Sequence, residues 1–286
     1  MQQQGKLFLC ATPIGNLADV TLRLIEVLKN TDIIAAEDTL HSKKLLSYLG
    51  LQKKLLSYHE HNKEKRGPEI IRILLAGQDV ALLSDAGYPG IADPGEQLVA
   101  LAVAEGIEIV PLPGANAALT AIVASGLATT PFFFGGFLPK TQKNRREKLR
   151  MWQQIPATII LYEAPHRIKQ VLAEIQTAWG NRQIVLAREL TKVYEEFFRG
   201  TISESRTWLE EKPPRGEFTI VIGQAAFEQV QEQGKMPAMA KLKELLAQGR
   251  DKKESLKVVS VEYGIMKREL YQALLNEEKV KLPEES

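Results

Sequence analysis

The sequence predicts an α/β protein with two α/β domains followed by a small helical module at the carboxyl end. Three observations support this. Short apolar runs without alternation lie between amphipathic helical segments, a pattern typical of parallel strands covered on both faces. A Gly-Gly pair and a charged segment interrupt this rhythm near the middle of the chain. Beyond the last apolar run, residues 236–277 have a purely helical pattern.

The first predicted domain, residues 1–125, contains four strands that are each followed by a helix. The strands are Leu7–Ala11, Asp32–Ala36, Asp79–Leu83 and Ile107–Pro111. The helices are Thr21–Lys29, Leu40–Leu49, Glu96–Glu105 and Ala115–Ser125.

The second predicted domain, residues 126–230, begins where the sequence Gly135–Pro139 breaks the rhythm, which places the boundary near residues 125–145. Its strands are Thr158–Tyr162, Gln183–Ala187 and Glu217–Ile222, with Glu195–Arg199 as a further candidate, and its helices are Arg167–Ala178 and Ser203–Glu211. In the module of residues 236–286, two helical segments flank a glycine-containing turn at Tyr263–Ile265, an order that resembles a helix-turn-helix unit. Packing of this module against the second domain is the alternative interpretation.

Composition is that of a globular protein, with 44% hydrophobic and 25% charged residues. No apolar run reaches the length of about 18 residues that a membrane span requires. Cys10 is the only cysteine, so an internal disulfide and a multi-cysteine zinc site are excluded. We expect Cys10 to be a buried, inert thiol, expect no metal site, and infer a reducing, cytoplasmic setting. The net charge of +2 says little about partners.

Four loops rich in glycine and proline follow the four strands of the first domain. They are Ala11–Leu17, Ala36–Thr39, Ser84–Gly95 and Pro111–Ala118. Open α/β sheets bind ligands at the carboxyl ends of their strands, so the four loops together predict one site. The chain has neither a GxGxxG fingerprint after a strand nor a P-loop, which argues against an ordinary dinucleotide or nucleoside triphosphate site.

These stretches carry a family resemblance that spans roughly residues 7–223. They are ATPIGNLADVTLR, AAEDT, SYHEHN, LLSDAGYPGIADPG, PLPGANAALTAIVASGL, GFLPK, YEAPHR, LARELTKVYEEFFRG and GEFTIVIG. In this order they resemble the tetrapyrrole-methylase superfamily and, within it, the 16S rRNA cytidine 2′-O-methyltransferases, ribosomal small-subunit methyltransferase I. The chain departs from the family at Leu40, where an arginine is usual, and at Ala164-Pro165, where a serine-threonine pair is usual.

The resemblance implies two domains of the tetrapyrrole-methylase type with an S-adenosylmethionine cleft between them, and a homodimer. It implies methylation of 16S rRNA in the small ribosomal subunit, at cytidine 1402 in the usual rRNA numbering. The residues that it places around the cofactor are Pro13, Ser84, Asp85, Ala86, Gly87, Ile91, Ala115, Asn116, Ala117, Tyr162 and Ala187.

A ribose hydroxyl becomes a good nucleophile when a base takes its proton. The candidates are Glu37, Asp38, His59, His61, Glu163, His166 and Glu189. For each histidine a structural hydrogen bond is the alternative role, and Glu37-Asp38 also suits the start of a helix. Alignment of the acceptor with the sulfonium is a further source of rate.

Residues 140–150 form a basic segment in which six cations are opposed only by Glu147, a local charge of 6 − 1 = +5. We predict that this segment binds RNA phosphates, with a solvated helix face as the alternative. The predicted substrate-binding residues are Lys140, Lys143, Arg145, Arg146, Arg167 and Arg188.

Two other functions share the fold. A tetrapyrrole C-methyltransferase is disfavoured because such enzymes typically carry GxGPGD and SGDP, where this chain has TPIGN and SDAGYPG. A non-catalytic RNA-binding protein is disfavoured because all the cofactor loops are present.

Overall fold

The computed structural model describes residues 4–224, 227–263 and 267–280. The chain forms two compact units, one ending at Gly223 and the other beginning at Gln224. The division of the first unit near residue 125, and the boundaries at residues 230 and 236, stay predictions.

The first sheet has five parallel strands, in the order β3-β2-β4-β1-β5. They are β1 (Leu7–Cys10), β2 (Ile33–Ala36), β3 (Lys54–Ser57), β4 (Val80–Leu83) and β5 (Ile109–Leu112). The helices that connect or follow them are α1 (Leu22–Asn30), α2 (Thr39–Tyr48), α3 (Lys63–Leu75), α4 (Glu96–Ala104) and α5 (Ala117–Val123).

Both faces of this sheet are covered. Leu82 of β4 packs with Leu74 of α3 and Leu98 of α4 in one apolar cluster. Leu83, the next residue, lies in a second cluster with Leu28 of α1. Because successive strand side chains point to opposite faces, these clusters lie on opposite sides. The predicted parallel sheet is therefore confirmed.

The second sheet is mixed, with the order β6-β7-β10-β8-β9. Its strands are β6 (Phe132–Phe137), β7 (Thr158–Glu163), β8 (Gln183–Arg188), β9 (Glu196–Thr201) and β10 (Phe218–Ile222). The pair β6–β7 is parallel, and β10 runs antiparallel to both β7 and β8. The start of β10 therefore lies at the same edge as the ends of β7 and β8.

Helices cover one face of the second sheet, and α5 packs on the other. The covering helices are α6 (Gln142–Trp152), α7 (Ile168–Trp179) and α8 (Ile202–Glu211). On the opposite face, Ala121 and Ile122 of α5 pack with Ile160, Val185 and Val221 of the sheet. Helix α5 thus joins the two sheets and brings the carboxyl edge of the first sheet against the second. The predicted α/β fold class is confirmed.

The unit after Gly223 contains three described helices, α9 (Phe227–Ala247), α10 (Lys252–Tyr263) and α11 (Lys267–Val280). Its apolar core includes Leu242, Leu256, Val259 and Leu270. The purely helical character predicted for this region is confirmed, whereas the predicted turn at residues 264–265 lies outside the described residues. No helix in the described part of the chain has the length and apolar composition needed to cross a membrane.

Candidate functional site

A cavity of about 370 Å³ lies between the carboxyl-end loops of the first sheet and the near edge of the second. Its volume falls within the range of about 300–1,000 Å³ that is usual for small-molecule sites. It is lined by Ile14, Glu37, Asp85, Ala86, Gly87, Tyr88, Ile91, Ala92, Asp93, Asn116, Ala117, Phe137, Tyr162, Glu163, Ala164, Pro165, Ala187, Leu190, Glu217, Phe218 and Thr219.

The loops on the first-sheet side are hydrogen-bonded to one another. Thr12 and Gly87 exchange backbone hydrogen bonds of 2.9 and 3.0 Å, and the hydroxyl of Ser84 donates to the Gly87 carbonyl at 2.9 Å. Gly87 has a φ of +78°, a conformation in which a side chain would be strained. The loop after β4 is therefore held firmly beside the loop after β1.

The second-sheet wall is built by three neighbouring strands. Thr219 of β10 pairs with Tyr162 of β7 and with Ala187 of β8. The Tyr162 hydroxyl accepts a hydrogen bond of 3.1 Å from the Ala118 N–H, and the rings of Phe134 and Phe137 meet Tyr162 edge to face. This wall is largely apolar, and it is anchored to the start of α5.

Three carboxylates, from Glu37, Asp85 and Asp93, line the first-sheet side of the cavity. The Asp85 N–H donates to the Glu37 carboxylate, and Asp85 Oδ1 accepts from the Asp38 N–H at 3.2 Å. Burial, followed by the negative charges of Asp93 and Asp85, raises the pKa of Glu37 to about 7. Burial and the charge of Asp85 raise the pKa of Asp93 to about 6. We call Glu37, Asp85 and Asp93 the acidic trio.

A fourth carboxylate, Glu163, faces the cavity from the end of β7. Its side chain is 1% exposed, and its Oε1 accepts from the Ala164 N–H at 2.8 Å and lies 3.3 Å from Arg167 Nε. Its Oε2 is buried and has no partner within the described structure. Burial raises the pKa of Glu163, while the Ala164 N–H and the charges of Arg167 and Arg145 oppose the rise.

Comparison with known proteins agrees with this architecture. The family model described as "Tetrapyrrole (Corrin/Porphyrin) Methylases" matches residues 6–205. A protein of Halalkalibacterium halodurans named "Ribosomal RNA small subunit methyltransferase I" is 46% identical over 272 residues, covering 94% of each chain. A protein of Bacillus subtilis with the same name is 46% identical over 273 residues, again covering 94% of each. The chain belongs to the tetrapyrrole methylases, within the ribosomal RNA small subunit methyltransferase I group.

Solved tetrapyrrole methylases share the fold. A cobalt precorrin-4 methyltransferase has a TM-score of 0.58 at 19% identity, with 76% of this chain and 94% of that chain covered. A uroporphyrin-III C-methyltransferase from Thermus thermophilus, complexed with S-adenosylhomocysteine, has a TM-score of 0.56 at 17% identity, with 77% and 98% covered. At these identities the likeness establishes the fold alone.

The cavity of this tetrapyrrole methylase collects most of the predicted cofactor-binding residues. Those that line it are Asp85, Ala86, Gly87, Ile91, Asn116, Ala117, Tyr162 and Ala187. Pro13 and Ser84 line instead an adjoining recess of about 30 Å³, which shares Asp85 with the cavity. Ala115 packs beside α5 and does not line the cavity.

Of the seven catalytic candidates, Glu37 and Glu163 line the cavity, and the other five do not. Asp38 begins α2, where its carboxylate accepts from the N–H groups of Leu40 and His41, which lower its pKa. His61 is exposed and lies outside the cavity lining.

Glu189 is held by a structural hydrogen-bond network. Its Oε1 accepts from Lys192 Nζ at 2.9 Å and from the Glu217 N–H at 2.8 Å. Burial acts to raise the pKa of Glu189, but these two donors outweigh it, and the pKa is lowered.

The two remaining histidine candidates also lie outside the cavity lining. His59 Nε2 is 3.2 Å from the Asn62 amide, whereas His166 is exposed. The structure therefore gives neither of them a place beside the acidic trio.

Several lining residues were not selected from the sequence, notably Asp93, Phe137, Phe218 and Thr219. Phe218 and Thr219 lie at the start of a strand, where the rule of carboxyl-end loops does not apply. Only the antiparallel direction of β10 places them at this edge. Asp93 and Phe137 lie within the ADPG and GFLPK stretches, so the motifs that carry the family resemblance could have identified both.

The sequence predicts that Arg145 contacts phosphate. In the structure the residue is 3% exposed, and its side chain binds groups within the protein. Its guanidinium binds both carboxylate oxygens of Glu174, at 2.9 and 2.8 Å, and donates to the carbonyls of Pro139 and Lys140. The charged segment is amphipathic, and the side of α6 with Arg145 and Leu149 faces the interior. Lys140, Lys143 and Arg146 are exposed.

Replacing Arg145 by Ala is expected to destabilise the protein by about 3 kcal/mol, because it leaves the buried Glu174 carboxylate without its partner. Arg146→Ala, which removes the same charge from the exposed face of α6, is the matched control and is expected to change stability by less than about 0.5 kcal/mol. Urea denaturation of both variants measures the difference. Equal stabilities would show that the Arg145–Glu174 pair contributes nothing.

Arg167 and Arg188, the other predicted substrate contacts, are half-buried. Arg167 Nη2 donates to the Leu138 carbonyl at 2.8 Å, in addition to its contact with Glu163. Arg188 Nε donates to the Arg215 carbonyl at 2.8 Å, and its Nη1 lies 3.5 Å from Glu196. Both side chains are thus engaged within the fold.

The predicted buried state of Cys10 is confirmed, and burial raises the pKa of its thiol to about 12. No group of three or more His, Cys, Asp or Glu side chains among the described residues is arranged to hold a metal ion.

Proposed function

We propose that this protein transfers the methyl group of S-adenosylmethionine to the 2′-hydroxyl of a cytidine ribose in small-subunit rRNA, at cytidine 1402. The name of relatives that are 46% identical over 94% of the chain supports rRNA as the substrate. The observation that carries the cofactor assignment is the cavity lining. It combines small and apolar side chains with carboxylates, and none of the described residues in it is Lys, Arg or His.

This lining fits S-adenosylmethionine better than a phosphate-bearing cofactor. Phosphates are usually held by cationic side chains, whereas this donor offers an uncharged nucleoside, an amino-acid group and a sulfonium. Ala86, Gly87, Ala117 and Ala187 leave room for the ligand, and Tyr162 and Phe137 provide apolar walls. The unpartnered Oε2 of Glu163 is free to accept a hydrogen bond from the ligand. When bound, the cofactor supplies an electrophilic methyl group.

Two carboxylates are placed to take the proton of the attacking hydroxyl. Glu37, with a pKa of about 7, is near the value at which a general base works best at neutral pH. Glu163 offers its unpartnered Oε2 from the opposite side of the cavity. In this proposal one of these two takes the proton, and the other orients a ligand.

The substrate is held by phosphate contacts from the exposed face of α6 and the residue before it. Lys140, Lys143 and Arg146 carry this role, since no ion pair in the described structure engages their side chains. Lys140 lies three residues after Phe137, a cavity-lining residue. In this proposal the protein is a homodimer and works in the cytoplasm, where ribosomes are assembled.

Incubation with methyl-labelled S-adenosylmethionine and unmodified small ribosomal subunits tests this function. The label is expected at one cytidine, and the phosphodiester after it is expected to resist alkaline cleavage, because a methylated 2′-oxygen cannot attack it. Mapping by primer extension and nucleoside analysis identifies the product. Label on a base carbon or nitrogen would refute 2′-O-methylation, and label on a tetrapyrrole but not on RNA would favour the C-methyltransferase alternative.

A further inference from the structure

The charged side chains that line the cavity are all acidic. Five carboxylate residues line it, and no cationic side chain appears among its described lining residues. Two of the five are compensated from outside the lining, Glu217 by Lys192 Nζ at 3.0 Å and Glu163 by Arg167 Nε at 3.3 Å. The acidic trio takes part in no ion pair of the described structure. Its negative charge is left for a ligand to balance.

A second, independent observation points to a ligand in this cavity. Glu163 Oε2 is buried, has no hydrogen-bond partner among the described residues, and belongs to a side chain that is 1% exposed. Buried carboxylate oxygens are seldom left unpaired in folded proteins, because desolvation is costly. The cavity therefore presents carboxylates from two sides that a cationic or hydrogen-bond-donating ligand would satisfy.

We propose that the acidic trio makes this cavity charge-selective, so that it binds the cationic methyl donor more tightly than the demethylated product. This rests on the proposed function. S-adenosylmethionine carries a sulfonium in addition to its ammonium and carboxylate, for a net charge of +1. S-adenosylhomocysteine carries only the last two, which cancel. Transfer of the methyl group removes the positive charge on sulfur, so the product loses the attraction of Glu37, Asp85 and Asp93 and leaves.

Donor binding is also linked to proton release. The groups that face Glu37 and Asp93 are Asp85 and Asp38 from neighbouring loops and Tyr162 from β7, and none of them is a cation. Mutual repulsion and burial keep part of the trio protonated near pH 6.5. A bound cation favours the ionised carboxylates, so a proton moves from the trio to solvent. Donor affinity should therefore rise with pH, and product affinity should change little.

Calorimetric titration with the two purified ligands tests this inference on the full chain. Between about pH 5.5 and about pH 7.5, we expect the affinity for S-adenosylmethionine to rise about tenfold, and that for S-adenosylhomocysteine to change less than about twofold. Titrations at pH 6.5 in buffers of different ionisation enthalpy are expected to show proton release with the donor only. The two ligands share their amino and carboxyl groups. A difference between their affinities therefore reports the effect of the positive charge on sulfur.

Glu37→Gln and Asp93→Asn are expected to weaken donor binding about tenfold at pH 7.5 and to leave product binding within about twofold. Glu105→Gln removes the same charge at the exposed end of α4 and is the matched control. Equal losses for both ligands, or parallel pH profiles, would overturn charge selectivity while leaving the proposed function intact. Binding of neither ligand at any pH would reject the proposed function and this inference together.

Discussion

Replacing Ala117 by Phe is expected to weaken binding of S-adenosylmethionine by at least about 1,000-fold, a loss of about 4 kcal/mol. Ala117 is the first residue of α5 and lines the cavity of about 370 Å³. The next residue, Ala118, is bound through its N–H to the Tyr162 hydroxyl, so the start of α5 is held against the second sheet. A phenyl ring at position 117 then occupies space that the ligand needs, and the helix is not free to withdraw.

Leu119→Phe is the matched control for this variant. Leu119 lies two residues further along α5 and is 50% exposed, so an added ring there enters solvent. Calorimetric titration of both variants, with circular dichroism to verify folding, measures the effect. A folded Ala117→Phe variant that binds the donor with unchanged affinity would show that this cavity is not the cofactor site.

Much of the fold was predictable because the sequence contains strong local signals. β2 and β4 are buried on both faces, and their runs of Ile, Val, Leu and Ala are unbroken. The predicted ends of α1, α2, α4 and α5 lie within two residues of those observed.

Within the first sheet and its helices, β3 and α3 were missed for physical reasons. β3 is a four-residue edge strand with only Leu55 and Leu56 as apolar residues, and the α3 that follows contains Gly67 and Pro68 in its interior. Both features weaken a pattern that depends on periodicity. Pairing with β2 and burial of Ile70 and Leu74 stabilise these elements, and such tertiary contacts are not visible in local sequence.

The Gly135-Gly136 pair predicts a break between the two domains, yet it lies inside β6. The register with β7 shifts between Phe134 and Gly136, where Gly136 has a φ of +61°. A side chain at Gly135 would lie within about 3 Å of Trp152 and Leu161. Glycines in a strand often indicate a bulge or a close approach, and here they indicate both.

Residues of the candidate site could be predicted where they follow a strand. The roles of the basic residues could not, because charge alone does not show which side chain is buried. The loop after β4 follows a buried run, so Asp85 and Gly87 could be assigned to the ligand edge. Arg145 and Arg146 are adjacent in sequence and equally charged, but only their positions around the axis of α6 decide which is buried. Glu174, the residue that pairs with Arg145, is 29 positions away in the chain.

Replacing Lys140, Lys143 and Arg146 together by Ala is expected to weaken binding of small-subunit rRNA about 100-fold at low salt. These side chains are exposed and engage in no ion pair of the described structure, so they are free to meet phosphates. Each lost phosphate contact removes a released counterion. The slope of log affinity against log salt concentration is therefore expected to become shallower by about 2 for the three contacts. Cofactor affinity should stay constant, since none of the three residues lines the cavity.

The triple variant Lys29→Ala, Lys54→Ala, Arg72→Ala removes the same total charge and separates a local contact from a general change in charge. Lys29 is near the end of α1, Lys54 starts β3 and Arg72 is in the last turn of α3, so all three lie toward the amino edge of the first sheet, away from the cavity. Filter binding of unmodified small-subunit rRNA across a series of salt concentrations compares both triples with the wild type. Because phosphate contacts position RNA without reading its sequence, the first triple should still methylate the same nucleotide at a lower rate. Identical slopes for the two triples would mean that the basic face of α6 is only solvated, and that the RNA is held by another part of the chain, with the cations of α10 and α11 as the next residues to test.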